Sequence, residues 1–94
     1  MAKAVLNGVV IAESEEFQII EGNCYFPPDS VKMEFLKPSE SKSICPWKGV
    51  ASYYDIEVEG EFIKDGAWYY PDPKEAASHF AGYVSFWRGV EIEK

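Results

Sequence analysis

Five consecutive residues, Cys45-Pro46-Trp47-Lys48-Gly49, put a thiol, a rigid proline, a flat indole, a cation and a flexible glycine side by side between two strand-like stretches. A thiol reacts as its thiolate, and a neighbouring ammonium favours that form, so Cys45 and Lys48 are the candidate catalytic residues. Lys48 would serve equally as the contact for an anion or a carbonyl group. No histidine lies nearby in sequence to act as base, since the only one is His79. On the competing reading, Cys45 and Trp47 are packing residues and Lys48 is solvated.

The rings Trp47, Tyr53, Tyr54, Trp68, Tyr69, Tyr70, Tyr83, Phe86 and Trp87 are dense for a chain of 94 residues. In the doublets Tyr53-Tyr54 and Tyr69-Tyr70, strand alternation sends one ring inward and its neighbour to the opposite face. Some of the rings therefore form a core or line a cleft, and both readings stay open. The cleft reading takes Trp47, Lys48, Tyr53, Trp68, Tyr70 and Trp87 as ligand-binding residues beside Cys45.

Other groups offer less. Glu13, Glu15, Glu16 and Glu21, and then Glu57, Glu59 and Glu61, are read as solvated faces and edge protection, because none has the spacing of a metal pair. Cys24 and Cys45 have no C-x-x-C spacing, and His79 is their sole imidazole partner, so no metal site and no cofactor are expected. Two free thiols fit a reducing compartment. Lys64-Asp65-Gly66 lacks the spacer of the lysine signature of covalent nucleotidyl transfer and reads as an Asp-Gly turn.

The charge count of 9 basic against 16 acidic residues, net −7, repels phosphate backbones and anionic lipid. No nucleic-acid or membrane partner is expected. No apolar run approaches the roughly 20 residues of a membrane span, and Asn7-Gly8 interrupts the N-terminal stretch too early for a signal-peptide core. The sequence reads as a cytoplasmic, soluble domain and leaves its oligomeric state open.

Elements to position these groups follow from the turn chemistry. Asn7-Gly8 predicts a hairpin between Ala4–Leu6 and Val9–Ala12. Phe17–Ile20 and Cys24–Phe26 read as short strands around Gly22-Asn23. A short helix is expected from Asp29 or Ser30 to Leu36, with Val31 and Phe35 on one face. Pro38–Ser43 reads as a mobile polar loop. Val50–Val58 alternates with period two and predicts a half-buried strand, followed by Glu61–Lys64 and Ala67–Tyr70 on either side of an Asp65-Gly66 turn. Asp72-Pro73-Lys74-Glu75 starts a second helix that stops near Gly82, before strands at Tyr83–Trp87 and Val90–Glu93.

Taken together, Glu21-Gly22-Asn23-Cys24-Tyr25-Phe26-Pro27-Pro28, Cys45–Gly49 with Tyr53-Tyr54, Ala67-Trp68-Tyr69-Tyr70-Pro71-Asp72-Pro73 and Gly82-Tyr83-Val84-Ser85-Phe86-Trp87 resemble the domain of unknown function 427 family over nearly the whole chain. The resemblance implies a compact β-dominated fold related to the Mss4-like β complex, usually a small bacterial stand-alone protein. The family also carries a nucleotidyltransferase label, although the converging carboxylates and Gly-rich or basic elements of such chemistry are not visible here. Where the family pattern has histidine after Gly-Asn, this chain has Cys24, which changes the proton chemistry at that position.

The expectation is one domain over residues 1–94. It is a mainly β, β-rich α+β fold, a meander of about seven or eight short antiparallel strands with two short helices. Its function is expected to be small-molecule binding near the Cys45–Lys48 loop. The alternatives are an interaction or regulatory module without catalysis, and the labelled transferase activity.

Overall fold

Asn7 and Gly8 both take left-handed backbone angles (φ 53° and 76°), the turn conformation that the Asn-Gly pair favours. In the computed structural model, which describes residues 1–94, they join β1 (Ala2–Leu6) to β2 (Val9–Ser14). The chain continues through β3 (Gln18–Ile20), β4 (Asn23–Phe26), β5 (Leu36–Cys45), β6 (Gly49–Val58), β7 (Glu61–Tyr69), β8 (Val84–Phe86) and β9 (Glu91–Glu93). There are nine strands, against the seven or eight expected, and all the strand pairs are antiparallel.

Two sheets result. Strands β2-β1-β9 form a small one, and β3-β4-β8-β7-β6-β5 a large one. Strands β5 to β7 are the expected meander, but β8 inserts between β4 and β7, and β9 leaves the large sheet to pair with β1. On β1, Ala2, Ala4 and Leu6 face inward while Lys3 and Val5 face out. A bulge opposite Ala4 and Val5 turns both Ile11 and Ala12 of β2 into the core.

Both faces of the large sheet are used. One face sends Cys24, Phe26, Ile56, Val58, Ala67, Val84 and Phe86 against the small sheet. The other buries Tyr25, Ala51, Trp68 and Tyr70 under Ala77 and Phe80. The tyrosine doublets divide between these cores as strand alternation requires: Tyr53 and Tyr70 belong to the second, Tyr54 and Tyr69 to the first. Tyr54 and Tyr69 stack at 4.6 Å and 15°. Burial, with a hydrogen bond to Tyr69, pushes the Tyr54 phenol up to about 12.

Four expectations are corrected. The residues 29–36 form no single helix; they make two 3₁₀ turns, Pro28–Ser30 and Met33–Phe35. Val31 between them bridges Ala12, and the Lys32 amide donates to the Ile11 carbonyl (2.8 Å), so the edge of β2 captures the backbone that a helix would need. The second helix is a 3₁₀ segment, Glu75–Phe80, preceded by Lys74 rather than capped by Asp72. Its spacing of three residues per turn puts Ala77 and Phe80 on one buried side.

Pro38–Ser43 lies within β5. Register is lost between Pro38 and Lys42, and there the hydroxyls of Ser39 and Ser41 donate to the Asp65 carboxylate at 2.5 and 2.7 Å. Asp65-Gly66 is likewise no hairpin turn. It is an irregularity inside the continuous strand β7, where Asp65 (φ 54°) donates its amide to Asp55.

Candidate functional site

The loop Cys45–Gly49 closes the β5–β6 hairpin beside the second core. Gly49 has φ +114°, a conformation that side-chain-bearing residues rarely adopt, and the backbone of residues 73 and 74 packs where its Cβ would point. That approach pins the loop: the Lys74 amide donates to the Lys48 carbonyl (2.9 Å), and the Lys74 ammonium donates to the Pro46 carbonyl (2.6 Å).

So held, Lys48 points inward and is only 5% exposed. Its Nζ lies 5.4 Å from the ring centres of both Trp47 and Tyr70, within range of a cation–π attraction. The ammonium donates to Glu21 Oε1, and the Trp47 indole N–H donates to Glu21 Oε2 (3.2 Å). Glu21 stands at the tip of the β3–β4 hairpin with φ 55°, its side chain half exposed.

Burial alone would favour the neutral amine, but the Glu21 hydrogen bond, with Tyr25 and Tyr70 adding to it, outweighs that and raises the Lys48 pKa above its ordinary value. The same contacts, Lys48 first and Trp47 second, lower the Glu21 carboxyl. Burial raises the Tyr70 phenol, against the pull of Lys48. Lys48 is therefore a fixed cation at neutral pH, suited to an anion and unsuited to amine nucleophilic chemistry.

The other expected residues are distributed around this centre. Cys45 and Tyr53 pack at the margin of the second core, and Trp68 lies inside it, donating its indole N–H to the Tyr25 hydroxyl (3.0 Å). Trp87 stacks edge-on with Trp68 at 5.1 Å and donates to the Asp65 carbonyl, so its ring reaches the group only through Trp68. Most of these rings fill a core rather than wall an open cleft. The one groove of ligand size, about 520 Å³, is on the outer face of the small sheet, floored by Val5 and Val10 and flanked by Lys3, Glu91 and Glu93.

Cys24 faces the first core, on the side of β4 away from Tyr25, and burial raises its thiol pKa. Both cysteines are free. His79 packs edge-on against Phe80 at 5.0 Å, and its carbonyl accepts from Gln18.

Tyr25 and Phe80 are members that the sequence reading passed over, and Glu21, read there as a solvated carboxylate, is instead the partner of Lys48 and Trp47. Glu21 had the signal of a Glu-Gly turn opening the Gly-Asn motif, but its pairing with Lys48 spans 27 positions and no local pattern encodes it.

The family model described as domain of unknown function (DUF427) matches residues 1–94. The chain belongs to the DUF427 family. None of the curated proteins matches it.

The ion pair predicts an acid response in this DUF427 domain. Glu21 has a folded pKa below its ordinary 4.5, so the stability it contributes is full above that value and is lost as pH falls through the lowered one. Urea melts between pH 3 and 7 are expected to show a shallower acid decline for Glu21→Gln, converging with wild type at low pH. Parallel curves would contradict the pairing.

Proposed function

We propose that this domain binds a small molecule at the Lys48 centre and uses the loop for recognition, not for catalysis. The observation that carries this is the Lys48 ammonium. It is withdrawn from water between two aromatic faces and held to one half-exposed carboxylate. A buried cation with a single exposed partner is a poor stability device, because desolvation offsets much of the Coulomb gain, and it suits charge recognition better. Cys45 has no imidazole partner among the groups described around it, which weighs against thiol catalysis.

A specific observation favours a second reading. Ile44, 80% exposed, and Val50, 49% exposed, are cross-strand partners on the same hairpin. They form an apolar tip suited to a protein partner. For the transferase label there is no comparable support, since no three His, Cys, Asp or Glu side chains converge as metal ligands.

We extend the proposal to an Mss4-like arrangement of the sheets and to a bacterial, cytoplasmic protein with no nucleic-acid or membrane partner. The free thiols and the net charge of −7 support this compartment and partner set. No helix is long and apolar enough to cross a membrane.

The test is a thermal-shift screen of charged and neutral metabolites, with amide shift mapping of each hit. Hits are expected to perturb residues 45–49 and 21 and to be lost in Lys48→Met. Hits confined to the outer groove of the small sheet, or unaffected by Lys48→Met, would refute the reading.

A further inference from the structure

The Glu21 carboxylate is received as a ligand would be. Each oxygen has its own donor, Oε1 the Lys48 ammonium and Oε2 the Trp47 indole N–H, and both donors come from the 45–49 loop. The two sides differ in how firmly they are held. The receiving loop is tied to residue 74 by two hydrogen bonds and backed by Tyr70 and Phe80. The carboxylate comes from a two-residue turn, Glu21-Gly22, with φ values of 55° and 81°, on a hairpin whose outer strand β3 has three residues and pairs only with β4. A fixed receptor for a carboxylate is thus filled by a side chain on a short edge hairpin.

We propose that the Trp47–Lys48 site takes the carboxylate group of a small molecule, and that Glu21 is its built-in competitor, which the ligand displaces. This rests on the reading that Lys48 is the centre of the binding site, and it adds the ligand class and the means of access. The chemistry selects a carboxylate, because a planar pair of oxygens matches one ammonium donor and one N–H donor set side by side. Trp47, 39% exposed and packed edge-on to Phe80 at 6.2 Å, offers an apolar surface for whatever the carboxylate is attached to. An internal competitor acts at a high effective concentration, so free carboxylates bind the intact protein weakly unless they add contacts of their own.

The experiment uses benzoate and its neutral isostere benzamide as probes. The Trp47 indole N–H and the 45–49 amides are followed by nuclear magnetic resonance in wild type, Glu21→Ala, Glu21→Gln and Glu21→Ala/Lys48→Met. Removing the competitor is expected to tighten benzoate by about tenfold or more in Glu21→Ala. A smaller gain in the same direction is expected in Glu21→Gln, which keeps an acceptor oxygen but no charge, and which serves if the alanine variant does not fold. Benzamide is expected to leave Trp47 unmoved, and the double variant to lose benzoate.

Equal benzoate affinity in wild type and both Glu21 variants would overturn the competitor role. Benzamide binding as tightly as benzoate at Trp47 would overturn the carboxylate class while leaving Lys48 as a binding centre. If neither probe moves the loop in a folded Glu21 variant, both the inference and the reading beneath it fall.

Discussion

Phe80→Ala is expected to destabilise the domain by about 3–5 kcal/mol, the range for removing a fully buried aromatic ring. Phe80 is 0% exposed and contacts Tyr25 at 5.0 Å, Tyr70 at 6.2 Å and Trp47 at 6.2 Å. It comes from a 3₁₀ segment that pairs with no strand, so its ring and Ala77 are the main apolar anchors of that cover. The loss should show in urea denaturation as a lower midpoint at unchanged slope. Because Phe80 backs Trp47, the emission of the folded variant should also shift toward that of a solvated indole. A cost below about 1 kcal/mol would mean that the segment rests on the sheet without completing its core.

Gly66→Ala is expected to cost about 1–3 kcal/mol through overpacking. An added Cβ would meet Ile56 Cδ1 at 2.7 Å and Ile63 Cγ2 at 2.9 Å. Ile56 is fully buried, so its methyl cannot retreat without disturbing the first core, against which the half-buried Ile63 also packs. The mechanism has its own control. Ile56→Val removes the Cδ1 methyl that the new Cβ would strike, so the double variant should be more stable than the sum of the single effects. Strict additivity would place the cost elsewhere, in the irregular backbone of β7.

Turn chemistry was the most legible part of the sequence. The positive-φ pair Asn7-Gly8 closes its hairpin as read, because that conformation is one Asn and Gly adopt readily. Asp65-Gly66 shows the limit of that argument. Its backbone is left-handed at Asp65 as an Asp-Gly pair suggests, yet the chain does not reverse, since β6 supplies partners on both sides of the irregularity.

Pro38–Ser43 resembles a loop in composition for a related reason. Its serines satisfy an aspartate on β7, and its strand identity comes from pairing with β6, neither of which is local information. The alternation of Tyr53-Tyr54 and Tyr69-Tyr70 was readable, but it could not reveal that both faces of the sheet would be covered. At the candidate site, Lys48 and Trp47 stood out by type. Their partner Glu21 did not, since one of several glutamates on an acidic chain looks like surface charge.

The tyrosine doublets bear on how this molecule comes apart. Adjacent residues on β6 and β7 anchor opposite cores, as Cys24 and Tyr25 do on β4, so none of these strands belongs to one core alone. Loosening either layer pulls on the same three strands that hold the other. Two hydrophobic interiors separated by a sheet would ordinarily suggest two melting units, but here they share their backbone residue by residue, and the chain should unfold in a single cooperative step.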